Sequence, residues 1–328
     1  MKPDPSSESV VAHGELAGTR YGVHAPKSAP ARATVVLIHG VGMNQSVWTP
    51  QIEALTAARY EVVVYDMLGH GASALPPAEP TLEDYAGQLE RLFDGLELRT
   101  AHVAGHSMGA LVALEFALTR ASRTLSVAAL NAVYARTPSQ RAAVMARAAL
   151  LQDGRDAAVE ANETNEANEA AEATEATASA IDATLARWFG DPVPAPLAAA
   201  AQTVRELLRT VNPHGYARTY RLFAAADEAH VGRLAQLAVP ALFLTGECDP
   251  NSSPAMSRAM AAAAPLGRAD VIAHARHMMN LSDADAVNAR LLAFFDAAAR
   301  PGADNPNASN AASESSAANE SSAGERHV

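Results

Sequence analysis

Gly105-His106-Ser107-Met108-Gly109 is the stretch whose residue types and spacing most directly suggest chemistry. A serine hydroxyl is a weak nucleophile at neutral pH, but a glycine two residues to either side lets a tight turn present it with little steric cover. The residues before it, Ala101, Val103 and Ala104, read as a buried strand. Those after it, Ala110, Leu111, Ala113, Leu114, Phe116, Ala117 and Leu118, recur with helical spacing. A serine on a strand-to-helix turn of this kind is a nucleophile elbow. Its chemistry is covalent attack on an electrophilic carbon, provided that a base takes the hydroxyl proton.

Other elements have to position that turn. Thr34-Val35-Val36-Leu37-Ile38 runs into His39-Gly40-Val41-Gly42, and a helix-like segment follows over residues 48–58. Residues 60–65 run into Asp66-Met67-Leu68-Gly69-His70-Gly71-Ala72-Ser73. Continuous β-branched and apolar runs such as these mark parallel strands buried on both faces. Together the three segments resemble the α/β-hydrolase family, which carries His-Gly after the third strand, Asp-x-x-Gly-His-Gly-x-Ser after the fourth and the elbow after the fifth. The resemblance continues at residues 239–246, a strand delivering Glu247-Cys248-Asp249, and at the short apolar run 269–273. His277 follows in a loop ahead of a helix over 284–299. The fold class implied is α/β: a mainly parallel sheet of about eight strands with helices on both faces, opened by an antiparallel piece near residues 9–24. The alternation of strand and helix signals supports this independently.

For the site, the resemblance implies a catalytic triad of Ser107, Asp249 and His277, in the family's chain order. His277 would take the serine proton and return it to the leaving group, while Asp249 orients the ring and stabilises its charged form. His274 and Glu247 are competitors for these two roles, and Arg276 stands where the family often has glycine. The acid that some relatives carry after the sixth strand has no counterpart, because residues 126–130 lead into Asn131-Ala132-Val133-Tyr134. The resemblance assigns the oxyanion hole to the backbone amides of Val41 and Met108, the latter favoured by its place at the start of a helix. His39, His70 and His106 fit structural hydrogen bonding better than a zinc site, and no metal or cofactor motif is present.

The core is expected over residues 9–133 and 235–300, with a helical cap over 134–234. Within the cap, helical recurrences occur at 142–151, 181–189, 197–211 and 216–226. Candidate pocket walls are Met43, Trp48, Tyr134, Trp188, Phe189 and Met278, with Met108 beside them; core packing is the commoner fate of such residues. Arg136, Arg147, Arg187, Arg205 and Arg209 are cap cations that a substrate carboxylate could meet, although surface solvation is the commoner outcome for each. An acidic stretch near 153–178 repeats glutamate every third residue, which winds around a helix of 3.6 residues per turn without making a face. It reads as a solvated, frayed-helical or disordered insertion. Residues 1–8 are expected to be flexible, and the Ala/Ser/Asn/Glu-rich residues 301–328 disordered.

Composition bounds the rest. The 328 residues are 49% hydrophobic, enough for one large core with an inserted subdomain. The net charge of −11 is concentrated: residues 153–176 carry −7 and the stretch from Pro301 carries −3, so the body is near neutral. No basic stripe suggests nucleic acid, and no apolar run suggests a membrane span. A single cysteine, Cys248, and the polar start Met1-Lys2-Pro3-Asp4 fit a cytoplasmic protein. The expected function is cofactor-independent hydrolysis of a small carboxylic ester or lactone through an acyl-enzyme. Carbon–carbon cleavage of ring-fission dienoic acids, acyl transfer, and a non-catalytic ligand receptor remain open alternatives.

Overall fold

A computed structural model describes residues 10–27, 29–164 and 167–299. Its strands are β1 (Val10–Leu16), β2 (Thr19–Ala25), β3 (Thr34–Ile38), β4 (Glu61–Tyr65), β5 (Ala101–His106), β6 (Thr124–Leu130), β7 (Ala241–Gly246) and β8 (Gly267–Ile272). They form one sheet in the order β1-β2-β4-β3-β5-β6-β7-β8. The first two make a hairpin in which Ala17 and Gly18, at φ 47° and 74°, close a two-residue turn. Positive φ at both positions matches the twist of the strands they join. β2 pairs antiparallel with β4, and every pairing from β4 to β8 is parallel.

Each central strand feeds two cores, because successive side chains point to opposite faces. Val36, Ile38, Val63, Tyr65 and Val103 enter one apolar cluster, with α2 (Leu82–Gly95), α3 (Met108–Thr119) and α8 (Pro254–Ala263). Val35, Leu37, Val62, Val64 and Ala104 enter the other, with α1 (Thr49–Ala57), the short α9 (Met279–Ser282) and α10 (Ala284–Ala298). This two-sided burial is why the strands lack a polar face.

Between β6 and β7 lie α4 (Pro138–Thr164), α5 (Ala167–Phe189), α6 (Ala198–Thr210) and α7 (Pro213–Ala225). The first two run well past the recurrences at 142–151 and 181–189 and take in the acidic repeat, whose side chains lie outside the described residues. Alanine and glutamate are strong helix formers, so backbone propensity carries a helix where the three-residue period offers no face. α7 starts at Asn212, whose Oδ1 accepts from the Gly215 amide at 3.0 Å, and Thr219 on it exchanges a 2.7 Å hydrogen bond with the Tyr85 hydroxyl of α2. The expectations for residues 1–8 and 301–328 lie outside the described residues. Among the described residues, no helix is long and apolar enough to cross a membrane.

Candidate active site

Ser107 follows the last residue of β5 and precedes the first of α3, with φ 56° and ψ −116°. That left-handed backbone is strained for a residue with a side chain, and the neighbouring packing holds it there. A Cβ on Gly105 would run into the Gly109 carbonyl, and one on Gly109 into the carbonyls of Ile38 and His39. The two glycines thus let α3 start hard against β3 and β5. The Ser107 amide donates to Leu130 O at 2.8 Å, and its carbonyl accepts from the Ala110 amide at 3.0 Å.

Asp249 leaves the carboxyl end of β7 with its side chain fully buried. His277 Nδ1 donates to its Oδ2 at 2.9 Å, joined there by Asn131 Nδ2 at 2.7 Å and Ser252 Oγ at 2.6 Å. Oδ1 accepts from the Asn251 amide at 2.8 Å. Burial alone would push this carboxyl up; the charge and hydrogen bond of His277, with the bonds from Ser252 and Asn251, outweigh it and hold Asp249 down to about 2. The competitors lie elsewhere: Glu247 accepts from the His274 amide at 2.9 Å, and the His274 side chain is 92% exposed.

The link between serine and histidine runs through His106, the residue before the elbow. Its Nε2 donates to His277 O at 2.8 Å, and the two rings lie 4.9 Å apart. Burial, followed by the nearby His277 charge, pushes His106 down to about 3, so it stays neutral. The indole of Trp188, at the end of α5, also lies near His277, with ring centroids 5.2 Å apart.

The loop carrying Val41 is braced by two more buried histidines. His39 Nδ1 donates to Gly40 O at 2.8 Å while its Nε2 accepts from the Met67 amide at 2.9 Å. His70 Nε2 accepts from the Gly42 amide at 2.9 Å and its Nδ1 donates to Leu68 O at 3.1 Å. Both rings therefore work as neutral Nδ1–H tautomers. Burial pushes His39 to about 4 and His70 to about 3. Asp66 accepts from the Gln45 and Ala72 amides, so the Asp-x-x-Gly-His-Gly-x-Ser segment uses its polar groups on loop geometry. Outside the regular helix and strand ladders, no hydrogen bond among the described residues uses the Val41 or Met108 amide. A Cβ at Gly40, next to Val41, would lie 3.3 Å from Ser107 Cβ, which brings this loop against the serine.

Of the candidate pocket walls, Met43, Trp48, Trp188, Phe189 and Met278 share one apolar cluster, whereas Tyr134 packs against the cluster on the opposite face of the sheet. The indole nitrogens of Trp48 and Trp188 are buried without a hydrogen-bond partner. The inserted helices close over this region: a Cβ at Gly42 would lie 2.7 Å from Leu208 Cδ2 and 3.0 Å from Tyr216 Cε2. Sequence reasoning missed Asn131 and Ser252 as partners of Asp249. Asn131 occupies the position after the sixth strand where some relatives keep an acid, and that placement was the available signal.

Residues 35–290 match the model of the "Alpha/beta hydrolase family". Among curated proteins, the (E)-2-((N-methylformamido)methylene)succinate hydrolase of Acinetobacter baylyi is 36% identical, over 80% of this chain and 90% of its own length. The 3-oxoadipate enol-lactonase 1 of the same species is 30% identical, over 70% of this chain and 74% of its own. Among solved structures, the enol-lactonase from Burkholderia xenovorans LB400 superposes with a TM-score of 0.71 at 26% identity, covering 87% of this chain and all of that one.

Proposed function

The chain belongs to the alpha/beta hydrolase family, and on that premise we propose that it is a serine hydrolase that cleaves a small carboxylic ester or lactone through an acyl-enzyme. The observation that carries this reading is the buried His277–Asp249 pair, hydrogen-bonded at 2.9 Å and tied through His106 to the strained turn bearing Ser107. Ser107 Oγ attacks the acyl carbon as its proton passes to His277, and the negative charge moves to the former carbonyl oxygen. The amides of Val41 and Met108 meet that oxygen, Met108 with the added field of the α3 N-terminus. Collapse of the tetrahedral adduct expels the alkoxide, which takes the proton back from His277. A water molecule then repeats the sequence against the acyl-serine and frees the acid. Asp249, held ionised, keeps the His277 proton on Nδ1 and offsets the positive charge that the ring acquires.

The inserted helices serve as the cap, excluding water from the acyl-enzyme and shaping the pocket with Trp188 and Phe189. A lone cysteine fits work in a reducing, cytoplasmic setting. An acyl–nitrogen bond is a second reading, favoured by the relative named for a formamido-substituted succinate. The same nucleophile would serve it. The test is turnover of a panel of small esters, enol-lactones and N-acyl enamines by the wild-type protein and by Ser107→Ala. A loss on the order of 10⁵-fold or more in the folded variant is expected; wild-type-like rates would remove the mechanism.

A further inference from the structure

Two histidine pairs, His39 with His70 and His106 with His277, are buried and hydrogen-bonded into the loops at the strand ends. A third pair, His13 with His24, stands on the β1–β2 hairpin, where His13 is exposed and His24 half-buried. Within the hairpin His13 lies opposite Gly22, and His24 opposite Val11. Successive side chains point to opposite faces of a strand, so both rings rise from one face at diagonal positions. Tyr21 and Val23 turn to the core on the other face.

Gly22 leaves the room in which the two rings meet a third group. The place that a Cβ would take on Gly22 lies 3.1 Å from His13 Nδ1, 3.3 Å from His24 Nε2 and 3.2 Å from Gln45 Oε1. Two imidazole nitrogens and an amide oxygen thus surround a single point above a buried glycine. Gln45 comes from the loop after Gly42, and its backbone amide donates to Asp66 Oδ1 at 2.9 Å, which fixes the third group from a separate element. The ring centroids of His13 and His24 are 6.2 Å apart, with the planes at 88°. A zinc ion about 2.1 Å from a ring nitrogen lies about 3.2 Å from that ring's centroid, so two imidazoles sharing it stand at most roughly 6.4 Å apart. The observed spacing is inside that limit, and the exposed His13 ring is free to change rotamer and shorten it. Imidazole nitrogens suit zinc, copper and nickel, whereas magnesium and calcium take all-oxygen shells.

We propose that His13, His24 and Gln45 form a surface site for a divalent transition-metal cation of the zinc type, with water completing a four-coordinate shell. The ligands come from β1, β2 and the loop that follows Gly42, so an occupied site cross-links the antiparallel edge of the sheet to that loop. No step of the hydrolysis passes through it.

Isothermal calorimetry of the chelator-treated full chain, with Zn²⁺ as the probe, tests the site. The wild-type protein should bind a zinc ion whose affinity falls by at least about tenfold in His13→Ala and in His24→Ala, since even groups that only support a metal ligand are worth about that much. Gln45→Glu should tighten binding, because a charged oxygen replaces a neutral one. Gly22→Ala should weaken it by filling the space between the three groups. Circular dichroism of each variant separates loss of a ligand from loss of fold. Three results would overturn the proposal: no zinc bound by the wild-type protein, zinc bound equally well by both alanine variants, or an affinity that Gln45→Glu leaves unchanged.

Discussion

At the carboxyl ends of the strands, the Asp249 carboxylate is met by four donors, and the rings of His39, His70 and His106 are tied to backbone groups. In the helices over them, Arg147 donates to the Tyr220 hydroxyl at 3.2 Å, and Trp188 and Phe189 join an apolar cluster with Trp48. The buried carboxylate on the sheet side is shared among these donors, whereas in the insert Arg147 and Arg187 have no carboxylate partner among the described residues. The difference teaches where each part does its work. A buried polar site keeps its geometry when its groups satisfy one another, as the donors around Asp249 do.

The comparison breaks most visibly if the sheet side is loosened. Asp249→Asn keeps the shape but removes the charge that fixes the His277 proton on Nδ1, and turnover should fall by about 10³–10⁴-fold in a protein with unchanged circular dichroism. Near-normal turnover would mean that the carboxylate does not orient the base.

Acid should act next, through the buried histidines. His39 and His102 are held down to about 4 and His70 and His106 to about 3, all by burial, while in the unfolded chain each takes up a proton near 6.5. The unfolded state therefore binds more protons below pH 6.5, and stability declines as pH falls from there toward 4. Each histidine adds up to about 1.4 kcal/mol per pH unit. Denaturant titrations across that range measure the slope; a stability flat from pH 7 to 4.5 would contradict the neutral-ring bracing.

Ser252→Ala sharpens the comparison by deleting one of the Asp249 donors. A hydrogen bond to a charged group is worth about 1.5–3 kcal/mol, so the melting temperature should drop, and kcat should fall by roughly tenfold as the carboxylate loses its hold. The smallest effect belongs to the outer face of the insert. Arg209 pairs with Glu206 in solvent, and Arg209→Ala should change stability by less than about 0.5 kcal/mol.

Much of this was legible in the sequence because it is written locally. The runs at 34–38, 61–65 and 101–106 are buried on both faces, and their apolar continuity says so without any partner in view. Gly105 and Gly109 are spaced by the turn that they serve. What was not legible depends on distant approach. Asn131 reaches Asp249 across 118 residues, and only its place after the sixth strand hinted at the bond. Tyr134 packs against the cluster that holds Val41 and Met108, whereas Trp188 belongs to the other, a division that apolar recurrence alone does not reveal. The acidic repeat hid two long helices because periodicity reports a buried face, and a helix carried by propensity need not have one. Among five cap arginines named from sequence, only the ion pairs separate Arg147 and Arg187 from the rest.

The central claim is that Ser107 is an activated nucleophile, and fluorophosphonate labelling with peptide mapping tests it most directly. One adduct per chain at Ser107, absent in Ser107→Ala and slowed in Asp249→Asn, is the predicted result. A folded protein that takes no label, or takes it at another residue, would contradict the claim.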